Sequence, residues 1–362
     1  LETLSIKQLT TKIKERIMKS PIQFYESKDI EHTPRLTAPE VANLWSQYQN
    51  DTMAICIFKH MLQFIINKDV KNIIEFADDI AKRQIEQITF FLNEEKFAIP
   101  HGFTDDDVYP KTQQLFSDQF CLIYIYIMSV NGLGGYSAAL GTSVRTDIRE
   151  YYVKCQNETM ELFNKSLDVA LAQGIISRPP SINPNNQVEF AEKQSFLAGF
   201  FGEQRPLNCI EVTHLFWDLK KIQVSKALTL AFSQVAKSEE IRAYFWRGVQ
   251  VYKKQINVLE AILAEHNLPV PKSEDAEILA SIEPTFSDRL MMQHKALLGA
   301  TTAGFYGTAI ASVQRSDVAL AYTRLVAEML KLTEDGAKIM IKHEWLEEPP
   351  YLEDRERLVK RK

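Results

Sequence analysis

Apolar residues recur at spacings of three and four along most of the chain, and the strict alternation of a half-buried strand is missing from its long segments. Four such segments occupy the first half, at about Pro39 to Ile66, Val70 to Glu95, Gln113 to Leu140 and Val144 to Ala172. Four more follow, at about Ile210 to Ala236, Glu239 to Glu265, Thr285 to Ala311 and Asp317 to His343. Pro39 suits a first helical turn and Gly174 a helix stop. Helices of this length bury one face each by packing together, so the pattern predicts an all-α chain of two four-helix bundles in tandem. A further N-terminal helix, at about Ser5 to Lys19, is expected to dock on a bundle. The first two helices of each bundle are tightly joined, through Asn67 to Asp69 and through Lys237 and Ser238, whereas Phe97 to Thr112 is long and holds Pro and Gly. That length fits the crossover of a ferritin-type bundle but leaves its path open.

One half of the chain can be laid on the other. Glu40, Val41, Leu44, Gln84, Leu92 and Pro100 match Glu211, Val212, Leu215, Gln255, Leu263 and Pro271 at an offset of 171. From Phe116 onward the offset is 170, where Asp118, Gly134, Tyr136, Arg145, Asp147 and Glu158 match Asp288, Gly304, Tyr306, Arg315, Asp317 and Glu328. One indel, falling in a loop, is what duplication of a domain predicts. The resulting division is an N-terminal helix and lead-in (1–35), a first bundle (36–180), a linker (181–206), a second bundle (207–350) and a polar tail (351–362). The linker carries the apolar run from Phe196 to Phe201, expected to pack across the junction because an exposed patch of that size is a liability.

Composition narrows the function classes. With 362 residues, 25% charged and 45% hydrophobic, the chain reads as globular, and a net charge of −5 gives no global field for gathering phosphates, so nucleic acid is not an expected partner. Cys56, Cys121, Cys155 and Cys209 form no CxxC pair and read as buried thiols of a reducing, cytoplasmic setting. Gln119 to Val144 and Ala296 to Gln314 are uncharged, long enough to raise a membrane span. Their Gly, Ser and Thr content favours third helices buried on all sides, against each other about a pseudo-two-fold, with no span.

Around Pro100-His101-Gly102-Phe103-Thr104-Asp105-Asp106-Asp107-Val108, Phe116-Ser117-Asp118, Arg145-Thr146-Asp147, Arg178-Pro179-Pro180 and Arg205-Pro206-Leu207-Asn208, the chain resembles a bacterial family. That family is the domain of unknown function 3231, found in spore-forming bacteria. The resemblance covers nearly the whole chain and implies a duplicated helical unit grouped with ferritin-like bundles, an association with the spore, and no established activity. It also implies a His where this sequence has Gln84 and Gln255, so any metal ligand at that place is lost in both repeats.

Di-iron bundles use Glu-x-x-His on two helices, and no such motif occurs at matching places in the two units. What recurs is Gln84, Asp118 and Glu158, matched by Gln255, Asp288 and Glu328. Gln84 shares a stripe with Ala77, Ala81, Ile88 and Phe91, so both glutamines are expected in a polar core. Asp118, Glu158, Asp288 and Glu328 are the candidates for an iron or manganese site, against a plainer reading in which Asp118 and Asp288 favour a helix start. Arg145 with Asp147, and Arg315 with Asp317, stand at helix junctions, where they pair locally or clamp an anion. Thr104 before three aspartates reads as an N-cap with an acidic first turn. No nucleotide-binding or acyl-transfer motif is present. The sequence thus points to a non-catalytic binding or structural protein, its partner an unknown protein or a small apolar ligand. The alternative is a ferritin-like metal-binding protein or metal-dependent oxidoreductase.

Overall fold

The computed structural model describes residues 34–184, 186–199 and 204–360, and the helix expected at 5–19 lies outside them. The first repeat comprises α1 (Ala38–Leu62), α2 (Lys68–Glu94), α3 (Asp118–Gly141) and α4 (Thr146–Ala172). The second comprises α5 (Cys209–Val235), α6 (Glu239–Glu265), α7 (Asp288–Ser312) and α8 (Ser316–Lys342), followed by a short α9 (Arg355–Lys360). No strand occurs among the described residues.

Carboxylates at helix starts, Glu40 and Glu211 fully buried and Asp118 and Asp288 half-buried, set the topology. Glu40 sits in the first turn of α1, where its Oε2 accepts the Thr37 N–H at 2.8 Å while its Oε1 accepts the Val144 and Arg145 N–H groups, at 2.9 and 2.8 Å, ahead of α4. Glu211 does the same for Asn208 at 3.0 Å and Arg315 at 2.9 Å. Asp118, opening α3, accepts the N–H groups of Ile66 and Asn67 at 3.1 and 2.7 Å, ahead of α2. Asp288 accepts those of Lys237 and Ser238, both at 2.9 Å. One carboxylate thereby serves the orphan donors and positive ends of two adjacent helices. The starts of α1 and α4 meet at one end of the bundle, and those of α2 and α3 at the other. It follows that α2 and α3 run in the same direction, and that residues 95–117 travel the length of the bundle to join them.

The two crossovers meet each other. Tyr109 N–H donates to Thr285 O at 2.9 Å and Ser287 N–H to Asp107 O at 2.9 Å. The matched pairs, Leu279 to Leu115 and Ser117 to Glu277, both close at 3.0 Å. Val108 faces Phe286, and Phe116 faces Ile278, as isolated antiparallel bridges. These backbone pairs and bridges each have their repeat-related mate, which is the signature of an isologous two-fold interface, here inside one chain. The Tyr124 hydroxyl and the His294 ring, matched positions in the two repeats, touch at 3.2 Å.

One large apolar core runs through both repeats, from Met53, Ile57 and Leu122 to Leu228, Phe232 and Met329. A second, separate core lies only in the first repeat, around Leu44, Ile88, Leu92, Ile148 and Tyr152. Their counterparts Leu215, Leu259, Leu263, Val318 and Tyr322 belong to the continuous core. Something polar or empty therefore interrupts the first bundle.

Several sequence expectations are corrected. Helix α1 ends at Leu62, short of Ile66, whose N–H is taken by Asp118. Helix α3 starts at Asp118 instead of Gln113, because the preceding residues pair with the other crossover. The third helices are not buried throughout: Phe120 to Ile127 are buried, but Gly134, Gly135, Ser137 and Ala138 are exposed. Helix α3 is the one helix among the described residues that is long and apolar enough to cross a membrane, and half of its apolar stretch is buried within the protein. Cys209 is exposed, whereas the other three thiols are buried. Within the linker, Val188, Phe190 and Leu197 are exposed, and Ser316 Oγ donates to Leu197 O at 3.0 Å, while Phe200 and Phe201 of the apolar run lie outside the described residues. The segments after α4 and α8 cross the junction, where Ser177 Oγ accepts the Lys272 N–H at 3.0 Å and Glu347 accepts the His101 N–H at 2.8 Å.

Candidate functional site

The four carboxylates considered for metal are occupied separately. Asp118 and Asp288 hold the backbone of the α1–α2 and α5–α6 turns. Glu158 pairs with Arg83 at 3.1 Å, and Glu328 pairs with Lys254. No cluster of three or more His, Cys, Asp or Glu side chains fit to hold a metal exists among the described residues. The donor set does not fit an iron or manganese centre, and no chemistry is derived through one. Arg145 and Arg315 are equally engaged: each guanidinium grips its own aspartate, Asp147 or Asp317, through two bonds of 3.0 and 2.6 Å. Arg145 also reaches Glu95, and Arg315 also meets the His266 ring at 2.7 Å. These pairs lock helix starts and leave no open fork for an anion.

Gln84 and Gln255 are buried, as their stripe predicts. The Tyr136 hydroxyl donates to Gln84 Oε1 at 3.0 Å, and the Tyr306 hydroxyl to Gln255 Oε1 at 2.9 Å. Beyond that the repeats diverge. Gln255 Nε2 donates to Leu325 O at 3.1 Å, so both polar ends of Gln255 are satisfied, although Asp218 Oδ2 and the Tyr322 hydroxyl of that repeat have no partner. In the first, Gln84 Nε2 has no partner, nor do Gln47 Oε1, Asp51 Oδ2 or Asn131 Oδ1. Buried polar atoms are nearly always satisfied, so four unmet ones on neighbouring helices call for a cause.

Three of the four border a cavity of about 310 Å³ between α1 and α3, reaching α7 across the pseudo-two-fold, while Gln84 borders a hollow between α2 and α4. Gln47, Asp51 and Asn131 line it together with Phe58, Met128 and Leu297. Burial holds the Asp51 carboxyl well above its ordinary range, and Gln47 is the side chain that hydrogen-bonds it. This is the break between the two cores.

The second repeat has no such break, for a reason visible residue by residue. Gly132 and Gly135 line the cavity, and their counterparts are Thr302 and Phe305. Asn50 corresponds to Lys221, whose Nζ lies 3.0 Å from the Phe305 ring centroid. Asp51 corresponds to the buried Ile222. Helices α5 and α7 pack more extensively than α1 and α3 as a result. Sequence reasoning missed Gln47, Asp51 and Asn131, although the repeat register already set glycine against phenylalanine and aspartate against isoleucine. The hollow between α2 and α4, of about 410 Å³, is lined by charges such as Arg83 and Glu158 that pair with each other.

Residues 26–188 and 195–358 each match the family described as Protein of unknown function (DUF3231). The chain belongs to this family. The two matches confirm that the DUF3231 unit is present twice, in line with the helical repeats. No curated protein matches the chain. Among solved structures, the chain is similar to a "putative spore coat protein" from Bacillus halodurans C-125. That similarity is at 19% identity, covers 42% of this chain and 98% of the other, and has a TM-score of 0.39.

Proposed function

We propose that this DUF3231 protein is a non-catalytic binding protein whose first bundle holds one small molecule, with an apolar body and a polar group, between α1 and α3. The observation that carries this reading is the cavity of about 310 Å³ with unmet polar atoms on Gln47, Asp51 and Asn131, present in one repeat and filled in the other. Ligand sites are concave, mainly apolar and supplied with a few placed polar groups, and start at about 300 Å³. The polar side chains of Gln47, Asp51 and Asn131 face the space, so the ligand carries a polar group as well as the apolar body expected from the sequence. The parallel α2 and α3 and the long crossover support a ferritin-like lineage, while the carboxylates that would carry metal chemistry are engaged elsewhere. For its setting we keep the spore association that the family resemblance implies.

Native mass spectrometry of the intact chain, before and after Gly135→Phe, tests the reading. A Cβ at Gly135 meets open space, so the variant that copies Phe305 of the second repeat is expected to fold. We expect a small organic adduct on the native chain and none on the variant. A stoichiometric iron or manganese adduct, retained in the variant, would instead favour the metal-dependent alternative.

A further inference from the structure

The cavity of the first bundle contains one carboxylate and no Lys or Arg. Asp51 is only 8% exposed, and its Oδ2 has no partner. The other ionisable side chains near it are the neutral kind: Tyr136, Tyr151, Tyr152 and Cys155 all feel its charge, which adds to burial in holding their protons on. His294, reaching in from α7, is kept uncharged by burial. A carboxyl taken out of water with no counter-charge keeps its proton, and a cation brought beside it favours the ionised form. Phe58, Tyr124 and Tyr136 add aromatic surface to the same walls.

We propose that this cavity takes an organic ammonium ion, with Asp51 as its counter-ion and the aromatic rings around its body; the inference rests on the small-molecule reading above. The second repeat supplies the internal precedent. There the matched space already contains an ammonium, that of Lys221, set 3.0 Å from the Phe305 ring centroid and 3.5 Å from Asp218 Oδ1. Lys221, Phe305 and Asp218 stand at the positions of Asn50, Gly135 and Gln47. The first repeat has neither the lysine nor the phenylalanine, which leaves the space open. It carries a carboxylate on the same helix face, four residues along at Asp51. What the second repeat provides from its own chain, the first is built to receive: a cation held between a carboxylate and an aromatic face, the pairing that recognises amines.

Isothermal titration calorimetry of the full chain at neutral pH, with benzylammonium and n-hexylammonium against benzyl alcohol and n-hexanol, decides the matter. We expect the ammonium compounds to bind about tenfold or more tightly than the alcohols, the worth of one charge-assisted hydrogen bond. Asp51→Asn, a neutral isostere, should remove that preference. Asn50→Lys, which restores the second repeat's own ammonium, should block the amines while leaving the thermal midpoint unchanged or raised, and it keeps the test decisive if Asp51→Asn folds poorly. Alcohols binding as well as amines, or amines binding undiminished in both variants, would overturn the ammonium assignment and leave the small-molecule cavity standing. Binding by none of the four compounds would count against both.

Discussion

At the residue scale, several buried titratable groups hold the charge state that burial favours. His60 lies among Phe64, Phe116 and Phe286, with ring centroids 5.2 to 5.9 Å away and no hydrogen bond to either ring nitrogen. Burial lowers it from 6.5 to about 4, and burial lowers His294 to about 3. In the unfolded chain both imidazoles take up a proton near pH 6.5, whereas in the fold they resist until the lowered values. Between those limits the unfolded state binds more protons, so stability is present above pH 6.5 and declines as the solution is acidified. Each histidine is expected to contribute about 2 kcal/mol of loss between pH 7 and pH 5. The position matched to His60 is Ala231, so an apolar side chain suits this site. His60→Leu should therefore flatten part of the pH dependence, measured by urea unfolding at the two pH values, and an unchanged slope would show that the ring is solvated.

At the element scale, the buried glutamates at the first turns of α1 and α5 do more than cap their own helices. Burial alone would raise Glu40, yet the N–H donors of Arg145, Thr37 and Val144 outweigh it and leave the carboxyl below its ordinary range. The same balance holds at Glu211, where Arg205 and the Asn208 and Arg315 amides overcome burial. Glu40→Ala would leave three backbone donors at two helix starts without an acceptor. We expect a loss of about 3 kcal/mol in stability, with Glu40→Gln intermediate because an amide oxygen accepts fewer bonds. Chemical denaturation checks the order of the three proteins. Helix α4 should also exchange its first amides faster in the alanine variant, since its anchor lies on α1.

At the scale of the whole molecule, the two repeats form one folding unit. The central core draws on both, and the crossovers bond to each other in matched pairs at Asp107, Tyr109, Leu115 and Ser117. Arg289 of the second repeat bonds Asp107 of the first at 3.1 Å, and Lys272 is bonded by Ser177 across the same boundary. A fragment of residues 36–180 expressed alone would expose the faces of Phe116, Phe120 and Tyr124 that are buried here. It is expected to aggregate or to lack a cooperative thermal transition by circular dichroism, and to recover one on mixing with residues 207–350. A monomeric fragment with a sharp transition would show that each bundle is a domain in its own right.

The repeat, the helices and the polar core glutamines were legible in the sequence because they depend on local periodicity and on residue-by-residue matching. Apolar spacing fixes which face of a helix is buried, and Ser, Thr or Asn before an acidic first turn fixes where helices start. The roles of Glu40, Asp118 and their mates were not legible, since a carboxylate near a helix start looks like a cap for its own helix until the neighbouring helix end is in place. The cavity was further out of reach. Glycines at 132 and 135 and an aspartate at 51 are separated by a long stretch of chain, and each alone has an ordinary explanation. Only tertiary packing sets them face to face, and whether a space between helices is filled depends on the summed volume of side chains from three or four elements, a quantity that no single stretch of sequence contains.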